Sequence, residues 1–225
     1  MSDLTVAVPD VVRRWQAGWG LARGARVAEQ ARGGLHVLIG KSGHYREIVV
    51  LDADSDGAGL SGLAVEVASS DGRDCLMVPT NRVADVERVV RAAGLESLDP
   101  PEWLMWRDLR EHPSRAAGAG YRCVAVVDGP LIEVEIRASS GEVAARGTMA
   151  VVGADAVAHN IETRSAHRRR GLAGAVMSAL VHHAVGEGAR TGLLLASRDG
   201  QRLYSALGWN RCATVLTARG VSVRP

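Results

Sequence analysis

The clearest chemistry in the sequence lies in a basic, glycine-containing turn at residues 168–174, which read Arg-Arg-Arg-Gly-Leu-Ala-Gly. A strand-like, alternating segment precedes this turn and apolar residues at helical spacing follow it, so the pattern predicts the start of a helix. The first N–H groups of a helix lack internal partners and carry partial positive charge, which makes them an anion site. Gly171 lets a ligand approach the backbone, and the arginines suit a diphosphate. The alternative is a charged turn that only caps a packed helix.

A second segment strengthens the functional interpretation of the turn. About thirty residues later comes Leu203-Tyr204-Ser-Ala-Leu-Gly208-Trp209, behind an apolar, strand-like run. Together the two segments resemble the GNAT superfamily of N-acetyltransferases. Its acyl-CoA signature, (Gln/Arg)-x-x-Gly-x-(Gly/Ala), is matched at residues 168–173, and its later motif, Leu-Tyr-x-x-Leu-Gly-(Phe/Trp), is matched at residues 203–209. The resemblance covers roughly residues 121–219.

The resemblance implies a fold of the α/β (α+β) class, with a mixed, mostly antiparallel sheet flanked by helices. It also implies that acetyl-CoA, or another acyl-CoA, is the co-substrate and enters where two central strands part. Backbone groups of Ile161 and Thr163, on the strand before the turn, are implied to bind the pantetheine arm. The contacts implied for the pyrophosphate come from Arg168, Arg169, Arg170, Gly171, Leu172, Ala173 and Gly174.

The implied reaction is direct attack of a primary amine, on a small molecule or a protein, on the acyl-CoA thioester. It needs a proton acceptor for the ammonium, a donor for the oxyanion and an acid for the departing thiolate. Tyr204 resembles the family's general acid, with a core tyrosine as the alternative. Glu162 faces away from Ile161 and Thr163 by strand alternation and is the candidate base, although a carboxylate there can simply be solvated. His159 is within reach in sequence, but a lone histidine is usually not a base.

A function of another class stays open, namely an acyl-CoA-binding regulatory module without turnover. The intact turn together with Tyr204 favours the enzyme. The net charge of +2 gives no argument for nucleic acid as a partner, and no run approaches the ~18 apolar residues of a membrane span. The sequence does not open with a basic segment and an apolar run, so we expect a cytoplasmic protein. The choice between monomer and homodimer is left open.

No metal site is predicted. Cys75, Cys123 and Cys212 are widely spaced and contain no CxxC pair. Residues 52–57, Asp-Ala-Asp-Ser-Asp-Gly, open like a calcium loop, but Leu63 occupies the position that needs a bidentate glutamate. We therefore interpret this segment as a solvated loop.

The elements that must position these residues follow from periodicity and turn signals. Helices are predicted at residues 8–23, after Asn81 as a cap, at 171–187 and near 201–207. Strands or extended segments are predicted at residues 35–39, 47–51, 63–67, 75–78, 103–109, 123–127, 132–137, 143–151, 157–163, 192–196 and 212–218.

The domain organisation is predicted from the small, flexible segment at residues 111–120, which is interpreted as a linker. It would join an N-terminal half, residues 1–110, to a catalytic half, residues 121–225. The N-terminal half is interpreted as a degenerate repeat of the same unit that supplies a wall of the substrate cleft. Two unrelated αβ hairpins are the alternative explanation of the repeat.

Overall fold

A computed structural model of the chain describes residues 7–25, 27–39, 45–70 and 72–220. These residues form the helices α1 (Val8–Ala22), α2 (Gly57–Ala68), α3 (Val83–Ala92), α4 (Leu172–Gly186) and α5 (Arg198–Ala206). The strands are β1 (Glu29–Ala31), β2 (Gly34–Ile39), β3 (Tyr45–Val50), β4 (Asp74–Thr80), β5 (Leu95–Asp108), β6 (Tyr121–Asp128), β7 (Leu131–Ala138), β8 (Val143–Val152), β9 (Asp155–Thr163), β10 (Thr191–Ala196) and β11 (Asn210–Gly220). Short 3-10 turns lie at Leu109–Glu111 and Ser165–His167.

The strands of the described residues belong to one sheet, in the order β1-β2-β3-β4-β11-β5-β10-β9-β8-β7-β6. Two neighbouring pairs are parallel, β3 with β4 and β9 with β10, while the remaining pairs are antiparallel. A helix joins the two strands of each parallel pair, because parallel neighbours need a crossover connection. The predicted mixed, mostly antiparallel sheet flanked by helices is therefore confirmed.

Both halves of the chain contain the same order of helices and strands, and the last strand of each half pairs with a strand of the other half. The order β3-α2-β4-α3-β5 in the first half matches β9-α4-β10-α5-β11 in the second. Strand β5 pairs with β10, β11 pairs with β4, and β5 and β11 pair with each other near the centre of the sheet. The degenerate repeat stays a prediction, and the two halves share one continuous sheet.

Helix α1 covers one face of the sheet, and the other helices cover the opposite face. On β11, Val215 packs in the cluster around α1, whereas Leu216 packs in the cluster around α2 and α3. On β9, Val157 packs towards α1 and Ala158 towards α4. Because neighbouring residues of a strand point to opposite faces, these contacts distinguish two sides. We call them the α1 face and the α4 face.

Most predicted elements are found, but the prediction of a strand at residues 63–67 is wrong. These residues belong to α2, where Leu60, Leu63, Ala64 and Val67 form a buried stripe at helical spacing. A short apolar run is compatible with both the strand period of two and the helix period of 3.6. The buried stripe that identifies the helix begins at Leu60, before the run. The predicted cap Asn81 is also wrong, because α3 has Arg82 at its N-cap position.

The segment predicted as a linker lies against α4. Residues 112–118 form no helix or strand. The Ser178 hydroxyl on α4 donates to the carbonyl of Pro113 and accepts from the N–H of Arg115, both at 2.9 Å. The boundaries proposed at residues 110 and 121 stay a prediction. In the part of the chain that the structure describes, no helix combines the length and apolarity needed to cross a membrane.

Candidate functional site

The two central parallel strands part at their C-terminal ends. Strands β9 and β10 pair over four residues, and the last pair joins Ala158 to Leu194. Beyond that pair, β9 continues along β8 as far as Thr163. A bulge at Asn160, whose φ is 55°, shifts the register against β8 and redirects the strand. Beyond Ala158 and Leu194, the backbone groups on the facing edges of β9 and β10 are not paired with each other, and we call this parting of the strands the gap.

The basic turn follows β9 and begins α4. Gly171 is the N-cap of α4 with a φ of 74°, a left-handed conformation that favours glycine, and no side chain caps the helix. A Cβ atom at Gly171 would have no heavy atom within 4 Å, so the helix end opens to free space. The unpaired N–H groups of the first turn are therefore accessible to an anion.

The side chains of the turn hold its backbone in place. Arg170 Nη1 donates to the Tyr121 hydroxyl at 2.9 Å, and the same hydroxyl is 3.0 Å from His167 Nδ1. Arg168 Nε donates to the carbonyl of Thr163 at 3.4 Å. Arg169, in contrast, has no hydrogen bond or ion pair to any described residue, so its guanidinium is available to a ligand. Two of the three predicted arginines thus support the turn, and one is free to bind.

The matching helix end in the N-terminal half is closed. At the start of α2, the Asp56 carboxylate accepts from the N–H of Gly59 at 2.8 Å and so caps the helix. The neighbouring Asp54 accepts from the N–H of Asn81 at 2.9 Å. A phosphate at this end would meet two carboxylates instead of free N–H groups. Of these two matching helix ends, that of α4 is the one suited to a diphosphate.

Ile161 and Thr163, which the resemblance implies for the pantetheine arm, lie on β9 beyond its last pair with β10. Ile161 packs against the core cluster of the α4 face, and the Thr163 hydroxyl is buried without a hydrogen-bond partner among the described residues. A buried hydroxyl without a partner is costly, and a ligand in the gap could supply one. Gly147 on β8 makes the close packing possible, because a Cβ atom there would lie 2.4 Å from Ile161 Cδ1.

Tyr204 is buried on α5, the helix that follows β10. The Tyr204 side chain belongs to the same core cluster as Leu172, and Ile161 packs against that cluster. The centroid of the Tyr204 ring lies 6.0 Å from that of the Trp209 ring. A tyrosine phenol is protonated at neutral pH, and burial raises the pKa of Tyr204 further, which makes its phenol a weaker acid than a free one. A protonated phenol near the gap has the chemistry required of a proton donor.

Glu162 lies on the α1 face, away from Ile161 and Thr163. Its side chain is exposed and forms an ion pair with Arg146 across β8 and β9, with an N–O distance of 3.0 Å. Whether this carboxylate acts as the base stays a prediction. An exposed carboxylate with a guanidinium partner can accept a proton only in competition with that ion pair.

Gly174 occupies a different environment from the rest of the turn. It is buried, and a Cβ atom there would lie 3.2 Å from Arg115 Cδ. The absence of a side chain therefore makes room for Arg115, which crosses the first turn of α4. Sequence reasoning missed Arg115 and Tyr121, because no local pattern links either residue to the turn.

The fold places an uncapped helix end directly after a strand that leaves its parallel partner. The model of the acetyltransferase (GNAT) family matches residues 95–209, slightly more than half of the 225 residues. The chain therefore belongs to the acetyltransferase (GNAT) family, whose members generally use acetyl-CoA as a co-substrate for acyl transfer. The family match begins at Leu95, the first residue of β5, whereas the resemblance seen in the sequence begins near residue 121.

Solved structures of this family share the fold. A GCN5-related N-acetyltransferase from Kribbella flavida is similar with a TM-score of 0.66 and 17% identity over 96% of each chain. One from Sphaerobacter thermophilus gives a TM-score of 0.62 and 14% identity over 96% of each chain. A tandem GNAT protein from the clavulanic acid biosynthesis pathway gives a TM-score of 0.59 and 14% identity, over 85% of this chain and 80% of the other. No curated protein matches the sequence.

Proposed function

We propose that the chain is an acyl-CoA-dependent N-acyltransferase, with acetyl-CoA as the default donor and a primary amine of a small molecule or protein as the acceptor. The observation that carries this proposal is the uncapped, glycine-opened end of α4 directly after the strand that leaves its parallel partner. Family membership and the N-acetyltransferases among the structural neighbours support it.

The chain's own residues would divide the binding of the co-substrate between them. Backbone N–H groups from Arg169 to Ala173 would hold the pyrophosphate, with the free guanidinium of Arg169 adding charge. Gly174 would contribute less than the sequence implies, because Arg115 covers it. Ile161 and Thr163 would bind the pantetheine arm, with the Thr163 hydroxyl as an additional donor or acceptor. Acetyl-CoA, when bound, supplies the activated acyl group.

The reaction itself needs a proton donor for the thiolate, a hydrogen-bond donor for the oxyanion and a base for the ammonium. Tyr204 would give its proton to the departing thiolate, because it carries a buried, protonated phenol on the helix that follows β10. A backbone N–H at the bulge of β9 would stabilise the oxyanion that forms on the carbonyl oxygen. Glu162, the base that the sequence predicts, would remove the proton of the ammonium directly or through water.

A binding and turnover experiment tests this proposal. The melting temperature should be measured with acetyl-, propionyl- and succinyl-CoA, followed by thiol release with a panel of amines. Ligand at 100 times its Kd stabilises a folded protein by about 2.7 kcal/mol, which corresponds to a rise of roughly 5–10 °C for a chain of this size. No rise with any acyl-CoA would refute the proposal. Binding without thiol release across the panel would instead support a silent regulatory module.

Arg115 should contribute to binding of the phosphates. Its side chain crosses the first turn of α4 and has no ion pair among the described residues, so replacing it with alanine removes a cation beside the phosphate site. We expect the Kd for CoA to rise about tenfold, as for the loss of a hydrogen bond to a charged group. Binding of pantetheine, which lacks phosphates, should not change. Calorimetry on Arg115→Ala and on the control Arg110→Ala, whose guanidinium pairs with Asp108, checks this difference.

A further inference from the structure

The first strand after residue 120 forms one end of the sheet. Strand β6 is last in the strand order and pairs with β7, so its other edge has no strand beside it among the described residues. We call this the β6 edge. The strand at the opposite end of the sheet, β1, is only three residues long, whereas β6 has eight. A long unpaired edge offers its backbone groups to another chain, and proteins usually protect such edges.

The residues of β6 do not protect its edge. The strand reads Tyr-Arg-Cys-Val-Ala-Val-Val-Asp and contains no proline, glycine or lysine, and its charges are confined to Arg122 and Asp128 near the two ends. The segment between them is apolar, and Val126 and Val127 are 57% and 43% exposed. No bulge interrupts the pairing of β6 with β7. The β6 edge is therefore suited to pairing with a further strand.

The hydrogen bonds to β7 determine which backbone groups point out from the β6 edge. The Gly120 carbonyl accepts from the N–H of Ser139 at 3.0 Å, just before the first pair of β6 with β7. Because hydrogen-bonded and non-hydrogen-bonded pairs alternate along an antiparallel ladder, the even-numbered residues of β6 bond to β7. The backbone N–H and C=O groups that point outwards then belong to Cys123, Ala125 and Val127.

The sequence of β6 complements itself when two copies of the strand run antiparallel. If Ala125 lies opposite Ala125 of a second copy, then Cys123 lies opposite Val127 of that copy, and Val127 opposite its Cys123. These three pairs join the backbone groups that point outwards, so each pair can exchange two hydrogen bonds. The same register places Arg122 opposite Asp128 at both ends of the paired strands.

The two end charges select this register. Arg122 and Asp128 are both exposed, and neither has a hydrogen bond or ion pair through its side chain with a described residue. Arg137, directly across from Arg122 on β7, pairs with Glu135, so Arg122 has a like charge beside it and no carboxylate of its own. Sliding the second copy by two residues in either direction keeps the backbone hydrogen bonds but sets each end charge against an uncharged residue.

We propose that the chain forms a symmetric homodimer by antiparallel pairing of two β6 edges, with Ala125 on the two-fold axis. The partner that fits the β6 edge is thus a second copy of this chain, and the two sheets continue into one. A single pair of strands buries less than the ~1,200 Å² of the smallest standard interfaces, so we expect association in the micromolar range. The dimer does not depend on the proposed function, because it uses only the pairing of β6.

Sedimentation equilibrium of the full chain, from about 1 to about 500 µM, tests the dimer. The wild type should change from monomer to dimer over this range. Arg122→Asp should raise the Kd of the dimer about tenfold, because it replaces both ion pairs with pairs of like charges. Combining Arg122→Asp with Asp128→Arg restores opposite charges and should return the Kd to near the wild-type value. The matched control Arg91→Asp, which changes an exposed arginine on α3, should dimerise like the wild type.

A disulfide on the two-fold axis tests the register. The Cα atoms of a hydrogen-bonded antiparallel pair are ~5.5 Å apart, which a disulfide can span. With the exposed Cys123 changed to serine, Ala125→Cys should cross-link two copies on mild oxidation. Val127→Cys in the same background should not, because its two copies would lie four residues, or ~13 Å, apart. A chain that stays monomeric at every concentration, an unchanged Kd in Arg122→Asp, or equal cross-linking at both positions would overturn the proposal.

Discussion

Replacing Tyr204 with phenylalanine should lower kcat for amine acylation by about 10²- to 10⁴-fold, the range that a positioned general acid contributes. The phenol is protonated at neutral pH and lies in the core cluster against which Ile161 also packs. Phenylalanine fills the same space, so the Kd for acetyl-CoA and the melting temperature should stay close to those of the wild type. Steady-state thiol release, combined with calorimetric titration of acetyl-CoA, measures both quantities.

A second tyrosine provides the matched control. The Tyr121 hydroxyl accepts from Arg170 and contacts His167, so it supports the turn and takes no part in proton transfer. Tyr121→Phe should therefore raise the Kd for acetyl-CoA and leave kcat at saturation nearly unchanged. If Tyr204→Phe instead retains full kcat, another group protonates the thiolate and Tyr204 is a core residue.

Replacing Gly171 with aspartate should abolish measurable CoA binding, with a Kd increase of about 100-fold or more. A carboxylate at this position would cap α4 and stand beside the diphosphate. Two unit charges ~4 Å apart near a protein surface repel each other by about 4 kcal/mol before salt screening. The chain already contains this arrangement at α2, where Asp56 closes the helix end. Calorimetric titration of CoA measures the loss.

Asparagine at position 171 separates charge from shape. Asparagine and aspartate both tolerate the left-handed conformation at this position, and both can cap a helix. Gly171→Asn should therefore weaken CoA binding much less than Gly171→Asp, and the difference should shrink as salt concentration rises. Equal losses in both variants would show that the open backbone matters and that the charge does not.

The sequence predicted the elements around the candidate site wherever the relevant pattern was local. A strand, a glycine-containing turn and a helix lie within some twenty residues, and the anion-binding property of a helix end belongs to the backbone itself. For the same reason the start of α4 at the basic turn could be anticipated from the residue pattern, whereas the burial of Tyr204 was only the alternative to its role as an acid. The error at residues 63–67 arose from a window too short to distinguish a helix from a strand.

Features that depend on contacts distant in sequence were not predicted. Arg115 is placed by Ser178, 63 residues later, and Tyr121 is placed by its contacts with Arg170 and His167. The pairing of β5 with β10 and β11 was not predicted either, because strand partners that are a hundred residues apart leave no periodic signal in the sequence.

The last strand of each half pairs with a strand of the other half, β5 with β10 and β11 with β4. A fragment that began at residue 121 would lack β5 and would expose the backbone edges of both β10 and β11. Each half therefore depends on the other for the pairing of its last strands, so a substitution that unfolds one half should lower the stability of both.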